Sequence, residues 1–276
     1  MHINNETIFK DLLNKALTES GNLSNFYSYW HRYSFLNMLL LYVQGCVTPV
    51  ATFKKFKEAG RVVKKGAKAK TILIPINNVR QEEKIIKGSI EIVEKTFVSF
   101  MLKNCIFQLA DTDGEPYYNI MQPLPTLNKS LLLDTLKINE VDFGTHSLSS
   151  NGFAYPDNME IAVSPLAKAP HKTLLHEIAH CLLHKGEELS EHGDEMPRDL
   201  KEVEAETTAY IVGSFLNILS EIEASSSRAY IQFWLNNQEL PEKNCKRIFG
   251  AVNKIIKALE INENVDMTSA SQVSVA

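Results

Sequence analysis

The stretch HKTLLHEIAHCLLHK, residues 171–185, decides how this chain is interpreted. Its apolar residues recur at helical spacing, which predicts an amphipathic helix that ends at Gly186. His176 and His180 are four residues apart, so both imidazoles leave one face of the helix and can reach one metal ion. Glu177 is turned about 100° away, toward the place of a reacting water. This HExxH pattern predicts a Zn²⁺ site with Glu177 as the general base.

A third ligand has to come from another segment, and an acidic helix follows. Residues 202–206 read EVEAE within a helix that is predicted to begin at Pro197. Glu202 and Glu206 share a face, which predicts Glu202 as the third zinc ligand and Glu206 as the acceptor of a hydrogen bond from a ligand histidine. Glu204 is expected to point elsewhere. The alternative is that the whole triplet is a solvated acidic helix face.

His184 lies one further turn along the first helix and could compete as a ligand. Two turns separate it from His176, so a place beside the site or on the surface is favoured over ligation. A metzincin would need a histidine six residues after His180, and that residue is Gly186, so this class of protease is excluded.

Two histidines and a glutamate with one open position are typical of a gluzincin, in which zinc lowers the pKa of water to about 7. Hydrolysis of a peptide bond is therefore the expected reaction, and the peptide or protein substrate is not identified. A predicted strand, Met159–Val163, is expected to offer its edge to an extended peptide. Tyr210 is a candidate oxyanion stabiliser only because it follows the glutamates on their helix.

The net charge of −4 hides two halves of opposite sign. Residues 1–110 contain 16 Lys+Arg and 8 Asp+Glu, or +8, which leaves 13 against 25, or −12, for residues 111–276. The asymmetry predicts two domains with different partners, the basic one suited to a polyanion.

The positive charge of the first half is concentrated in residues 51–70. Basic and aromatic side chains alternate there, as is typical of sites that follow a phosphate backbone and stack on bases of single-stranded DNA. The alternative is a solvated basic loop with its aromatic rings in the core. The predicted contact residues are Lys54, Lys55, Lys57, Arg61, Lys64, Lys65, Lys68, Lys70, Phe53 and Phe56.

The pattern of predicted elements is α+β. Two helical patterns, residues 6–20 and 25–44, precede strands at 71–76 and 96–109, and the rest is mostly helical, with predicted helices at 171–185, 197–222, 226–236 and from 241 onward. Proline, glycine and aspartate cluster near residues 111–130, which predicts a small basic α+β domain over residues 1–120 and a mostly helical one over residues 121–276.

The chain is expected to be cytoplasmic, without a membrane partner. Its longest apolar run, Phe35–Val43, is interrupted by Asn37 and is far shorter than the roughly 20 residues that a membrane helix needs. The four cysteines form no CxxC pair, which fits a reducing compartment.

Taken together, these segments resemble the ArdC-type antirestriction proteins of plasmids and other mobile elements. The resemblance rests on YSFLNMLLLYVQ at 33–44, TFKKFK at 52–57, GRVVKKG at 60–66, FQLADT at 107–112, TLLHEIAH at 173–180, EVEAE at 202–206 and YIQFWL at 230–235. Residues 77–95 match nothing in it and are interpreted as an insertion or hairpin, and residues 130–150 are also unmatched.

The resemblance implies an N-terminal domain that binds single-stranded DNA and a C-terminal zincin-like metallopeptidase domain with its metal on the two histidines and the glutamate. It also implies protection of incoming DNA from restriction. Two alternatives stay open: a DNA-binding protein with a structural or vestigial zinc site, and a metalloprotease that cleaves a repressor.

Overall fold

A computed structural model of the protein describes residues 8–86, 89–118, 121–144, 150–186, 196–237 and 240–270. Contacts divide the chain into two compact units. Leu40–Ile120 forms one, and the residues before and after it together form the other. The predicted boundary at residue 120 coincides with the end of the middle unit, whereas the residues before Leu40, predicted in the same domain, group with the C-terminal half.

The chain begins with helices α1 (Ile8–Leu23), α2 (Tyr27–Trp30) and α3 (Phe35–Val43). The single helix predicted over residues 25–44 is broken, because the hydroxyl of Ser34 accepts from the backbone N–H of Asn37 and so caps a new helix. Of these helices, α1 packs against a C-terminal helix, where the hydroxyl of Tyr210 donates to the carbonyl of Leu17 at 2.9 Å.

The middle unit is built on a long antiparallel ribbon. Its elements are β1 (Val50–Thr52), α4 (Phe53–Glu58), β2 (Arg61–Val63), β3 (Lys70–Ile86), β4 (Ser89–Gln108) and β5 (Thr112–Gly114). Strands β3 and β4 pair along their whole length and β1 joins β4, while β2 pairs with β5. Residues 77–86 and 89–95 continue these strands as the outer part of the ribbon, which agrees with the hairpin interpretation of residues 77–95.

The C-terminal half contributes a further sheet of three strands and the longest helices. Its elements are α5 (Lys129–Leu136), β6 (Asn139–Glu140), β7 (Gly152–Tyr155), β8 (Glu160–Val163), α6 (Pro170–Leu183), α7 (Arg198–Phe215), α8 (Glu221–Asn237) and α9 (Glu242–Ala270). Pro170 opens α6, where a missing N–H is tolerated. Asn217, with φ 57°, adopts the left-handed conformation that follows the end of α7.

The prediction that the strand at 159–163 offers a free edge is wrong. The order of this sheet is β6-β8-β7, so β8 is its central strand, with β6 parallel on one side and β7 antiparallel on the other. Strands β6 and β7 are the two edges of this sheet within the part of the chain that the structure describes.

The α+β class is confirmed by this architecture. Within the described residues, no helix combines the length and the apolar character that crossing a membrane requires. The four cysteines are free thiols.

Candidate metal centre

Helices α6 and α7 bring together the three residues that the sequence predicted as ligands. The Nε2 atoms of His176 and His180 are 3.1 Å apart. Oε2 of Glu202 is 3.4 Å from Nε2 of His176 and 3.6 Å from Nε2 of His180. Because each imidazole leaves the same face of α6, the first turns of α7 need to supply only one carboxylate to close the group.

The spacing of these atoms fits a tetrahedral ion. Ligand bonds of about 2.0 to 2.1 Å place neighbouring donors about 3.3 Å apart, close to the measured 3.1, 3.4 and 3.6 Å. Two neutral imidazoles and one carboxylate are also the donor set of many zinc sites. Binding of an ion by His176, His180 and Glu202 stays a prediction, and their convergence is its geometric basis.

Surplus negative charge surrounds His176. Burial alone would lower its pKa, but hydrogen bonds with Glu202 and Glu206, together with the charge of Glu177, raise the pKa of His176 to about 9. The same contacts, with His176 first and His180 second, hold the pKa of Glu202 far below its usual range. The cluster therefore favours a positive charge at this point, as a proton or as a metal ion.

Glu206 occupies the place that its spacing predicted. Its Oε2 is 3.3 Å from Nδ1 of His176, the ring nitrogen that faces away from the cluster, and its Oε1 pairs with Nζ of Lys172 at 2.7 Å. Burial tends to raise the pKa of Glu206, but hydrogen bonds with His176, Lys172 and Ser227 bring it to about 2. The side chain is thus held as a carboxylate beside Nδ1 of His176, and its role in orienting this ring stays a prediction.

Glu177 lies beside the cluster on a cavity of about 280 Å³ that His176, Glu206 and Gly152 also line. Burial raises the pKa of Glu177 to about 7, although the neighbouring His176 opposes the shift. Gly152 of β7 passes so close that a Cβ at this residue would lie 2.7 Å from Oε1 of Glu177 and 2.7 Å from Cγ2 of Thr173. No spacing in the sequence points to this glycine, since only the strand order reveals what it faces.

Of two further candidates, His184 lies beside the site, as its spacing favoured, whereas Tyr210 is bound elsewhere. His184 is buried, with its Nδ1 2.9 Å from Nδ1 of His180 and its Nε2 3.0 Å from Oε2 of Glu204. Burial lowers the pKa of His184, against the effect of the Glu204 hydrogen bond. Tyr210 is no oxyanion stabiliser, because its ring is buried and its hydroxyl is bound to the backbone of Leu17.

The basic segment contains exposed charges and also side chains with internal partners. Lys54, Lys55, Lys57, Lys64, Lys65 and Lys68 are exposed, and Lys70 is half-buried. Of the exposed lysines, Lys54 lies 3.8 Å from Glu58 and Lys64 lies 3.4 Å from Asp113. DNA binding by these lysines stays a prediction that their exposure permits.

Two predicted DNA contacts have structural roles instead. Phe56 is fully buried with its ring against Tyr117, so it cannot stack on a base. Arg61 donates to the hydroxyl and carbonyl of Thr112, at 2.8 and 3.0 Å, and to the carbonyls of Gly114 and Glu115, which fastens β2 to β5. Phe53, by contrast, is 54% exposed and remains open to stacking.

Comparison with known proteins identifies the N-terminal part. Residues 13–105 match the model of the N-terminal domain of anti-restriction factor ArdC. The resemblance predicted from the sequence is thereby confirmed, and the chain carries an ArdC-type N-terminal domain.

Relatives of the whole chain are more distant. An uncharacterised protein of Bacillus anthracis is 26% identical over an alignment of 298 positions that covers 85% of this chain, and the chain spans about half, 48%, of that relative. Crystal structures of the antirestriction ArdC protein from the R388 plasmid, one metal-free and one with bound Mn(II), are 18% identical. The metal-free structure has a TM-score of 0.48 over 92% of this chain and 95% of its own, and the Mn(II)-bound structure has 0.49 over 93% and 97%.

Proposed function

We propose that this protein, which carries an ArdC-type N-terminal domain, is an antirestriction protein of a mobile element that binds single-stranded DNA and hydrolyses peptide bonds at a zinc site. The observation that carries the hydrolase part is the convergence of His176, His180 and Glu202 beside Glu177. The cellular compartment expected for such a protein is the cytoplasm.

The donor set suits zinc. When bound, the ion would act as a Lewis acid: it would polarise the peptide carbonyl and lower the pKa of water, so that hydroxide is available at neutral pH. His176, His180 and Glu202 would hold it, and Glu206 would fix the His176 ring through Nδ1 at 3.3 Å. A divalent ion is also known in the R388 ArdC structure with Mn(II), which supports the choice of a metal site.

Glu177 is the residue that we assign to proton transfer. Its carboxylate lines the cavity, and its pKa near 7 lies close to physiological pH, where a general base is most effective. It would take a proton from water and pass it to the leaving amine. Because burial disfavours the charged form, the carboxylate takes up a proton readily, and a pKa of about 7 still lets it pass that proton on near neutral pH.

The substrate would be an extended peptide that adds to β7. This strand is one of the two edges of its sheet in the described part of the chain, and its first residue, Gly152, lines the same cavity as Glu177. Main-chain hydrogen bonds to an edge strand bind a peptide with little demand on its sequence. Such a peptide would place its scissile bond near Glu177.

Single-stranded DNA would bind the basic segment of the middle unit. Five exposed lysines, Lys54, Lys55, Lys57, Lys65 and Lys68, would neutralise phosphates, and the exposed ring of Phe53 would stack on a base. Each neutralised phosphate of a single strand contributes about −0.7 to the slope of log affinity against log salt concentration. Binding of this kind follows the backbone and has little sequence preference.

The decisive test of the enzyme is Glu177→Gln. Hydrolysis of a peptide library should fall about 10² to 10⁴-fold, because the amide cannot accept the proton, while zinc content and binding of a single-stranded oligonucleotide stay unchanged. The matched control is Glu221→Gln, at the exposed start of α8. Equal hydrolysis by Glu177→Gln and wild type would eliminate Glu177 as the base.

The same variant separates the two alternatives for antirestriction. If DNA occupancy alone protects incoming DNA, Glu177→Gln protects it as well as wild type. If proteolysis is needed, protection is lost together with hydrolysis. A protease directed at one repressor would instead yield a single cleavage product from that repressor.

A further inference from the structure

A buried polar chain leads away from the metal cluster, and the hydrolytic mechanism does not use it. His184, one turn beyond His180, has its Nδ1 2.9 Å from Nδ1 of His180. On its other side, Nε2 of His184 is 3.0 Å from Oε2 of Glu204. Both residues are almost inaccessible, with 6% of His184 and none of Glu204 exposed. A buried histidine and glutamate in direct contact need an explanation, because each is costly to bury alone.

Helix α9 completes the surroundings of Glu204. Oε1 of this carboxylate accepts from Nδ2 of Asn244 at 2.8 Å and forms an ion pair with Nε of Arg247 at 3.4 Å. Arg247 also donates to the carbonyl of Leu183, on the metal helix. These partners are donors, so they hold Glu204 as an acceptor, and they join α6, α7 and α9 at one point.

The protons in this chain can be assigned one after another. His180 can bind an ion through Nε2 only if its own proton is on Nδ1. That Nδ1–H faces Nδ1 of His184, which must then accept and carry no proton. The proton of a neutral His184 is therefore on Nε2, where it is donated to Oε2 of Glu204. In each of the two hydrogen bonds, one partner is thus a donor and the other an acceptor, so the assignment is consistent from His180 to Glu204.

We propose that His184 and Glu204 form a hydrogen-bonded relay that fixes the proton of His180 on Nδ1 and directs its Nε2 lone pair toward the metal cluster. His184 and Glu204 are thus positioning residues. Glu206 does for His176 directly what Glu204 does for His180 through an interposed imidazole. This inference rests on the proposed metal site. It explains how the ring of His180 can be oriented before an ion binds.

The test compares Zn²⁺ affinity, measured by competition with a chromophoric chelator, among wild type and variants of His184. His184→Phe keeps the ring shape and loses both nitrogens, so Zn²⁺ affinity should fall about 10- to 100-fold, the usual cost of removing a partner of a ligand histidine. In His184→Asn the amide oxygen can stand near the position of Nδ1 and accept from His180, so part of the affinity should return. Leu132→Ala, a buried residue of α5, is the control for loss of stability alone and should leave the affinity unchanged.

A second readout follows the proton itself. Long-range ¹⁵N–¹H spectra of the metal-free protein distinguish the two neutral tautomers of a histidine ring. Wild-type His180 should be protonated on Nδ1, and this preference should weaken in His184→Phe and in Glu204→Gln. A purely structural role for His184 would lower the melting temperature without moving the tautomer of His180.

The results separate failure of this inference from failure of the proposed function. If wild type binds Zn²⁺ and His184→Phe binds it equally well with an unchanged His180 tautomer, the relay is overturned. If wild type binds no Zn²⁺, the proposed function fails, and the tautomer measurement still decides whether the relay exists. If His184→Phe does not fold, His184→Asn and Glu204→Gln carry the same test.

Discussion

The metal cluster and the basic segment are two regions organised by different physics. In the cluster, the three predicted ligands are half-buried and Glu177 is buried. Neighbours hold the side chains in place, as Lys172 holds Glu206 and His184 holds His180. In the basic segment, most lysines are exposed and only some have internal partners, such as Lys64 with Asp113. The metal cluster is therefore a preorganised site with fixed side chains, whereas the basic segment presents positive charge over an exposed surface.

This difference sets how each region should respond to substitution. Groups held in a fixed geometry make large individual contributions, because a small displacement disrupts the reaction. Exposed charges make small and nearly additive contributions, because water and salt screen each one. A single change in the cluster should therefore have a larger effect than a single lysine change in the basic segment.

Gly152→Ala is the strongest challenge to the preorganised cluster. The new methyl group would meet Oε1 of Glu177 at 2.7 Å, so the carboxylate must move. A displacement of about 1 Å can cost about 10²-fold in rate, and a loss of that order is expected in peptide hydrolysis with little change in Zn²⁺ affinity. Ala154→Ser, which adds one atom to the same strand, is the control. Full activity in Gly152→Ala would show that the base is not held in place by β7.

The two phenylalanines of the basic segment should respond differently to substitution, because Phe53 is available to stack on a base whereas Phe56 packs in the core. Phe53→Ala should weaken binding of a single-stranded oligonucleotide by about 1–3 kcal/mol and leave the melting temperature nearly unchanged. Phe56→Ala should do the reverse, because it empties the core and costs about 3–5 kcal/mol of stability. Fluorescence anisotropy and thermal unfolding measure the two effects. An unchanged affinity in Phe53→Ala would favour the solvated-loop alternative.

Lys172→Met tests, through the pH dependence of stability, whether the ion pair with Lys172 holds the carboxylate of Glu206. The pKa of Glu206 is about 2 when folded and near 4.5 when unfolded, so its contacts stabilise the metal-free protein above about pH 4.5 and lose this effect as pH falls toward 2. Removing Lys172 should cost about 1 kcal/mol in the free energy of unfolding at neutral pH. The difference from wild type should shrink with acidification.

Urea unfolding at several pH values measures this difference. Lys54→Met removes an exposed pair with Glu58 and should cost at most about 0.5 kcal/mol. A cost for Lys172→Met that stays constant from pH 7 to pH 3 would mean that the ion pair does not hold Glu206.

Short-range spacing predicted most of the cluster. His176 and His180 are four residues apart on one helix, and Glu202 and Glu206 repeat that spacing on the next, so the faces follow from helix geometry. The α+β class followed in the same way from periodicity. What had to be assumed was that the two helices pack against each other.

The features that could not be predicted from the sequence depend on contacts between elements that are far apart along the chain. The relay partners of Glu204 come from α6 and α9, and no spacing rule links residue 204 to residue 244. The central place of β8 depends on strand order, and the burial of Phe56 depends on the ring of Tyr117. Even the single helix predicted at 25–44 failed because the Ser34 cap competes with continued periodicity.

Equilibrium binding of Zn²⁺ to wild type, His176→Ala and Glu202→Ala tests the central claim most directly. We predict one tightly bound ion per wild-type chain, no tight binding by His176→Ala, and a large loss of affinity in Glu202→Ala with the fold retained. Absence of binding by wild type, or equal affinity in all three proteins, would contradict the account.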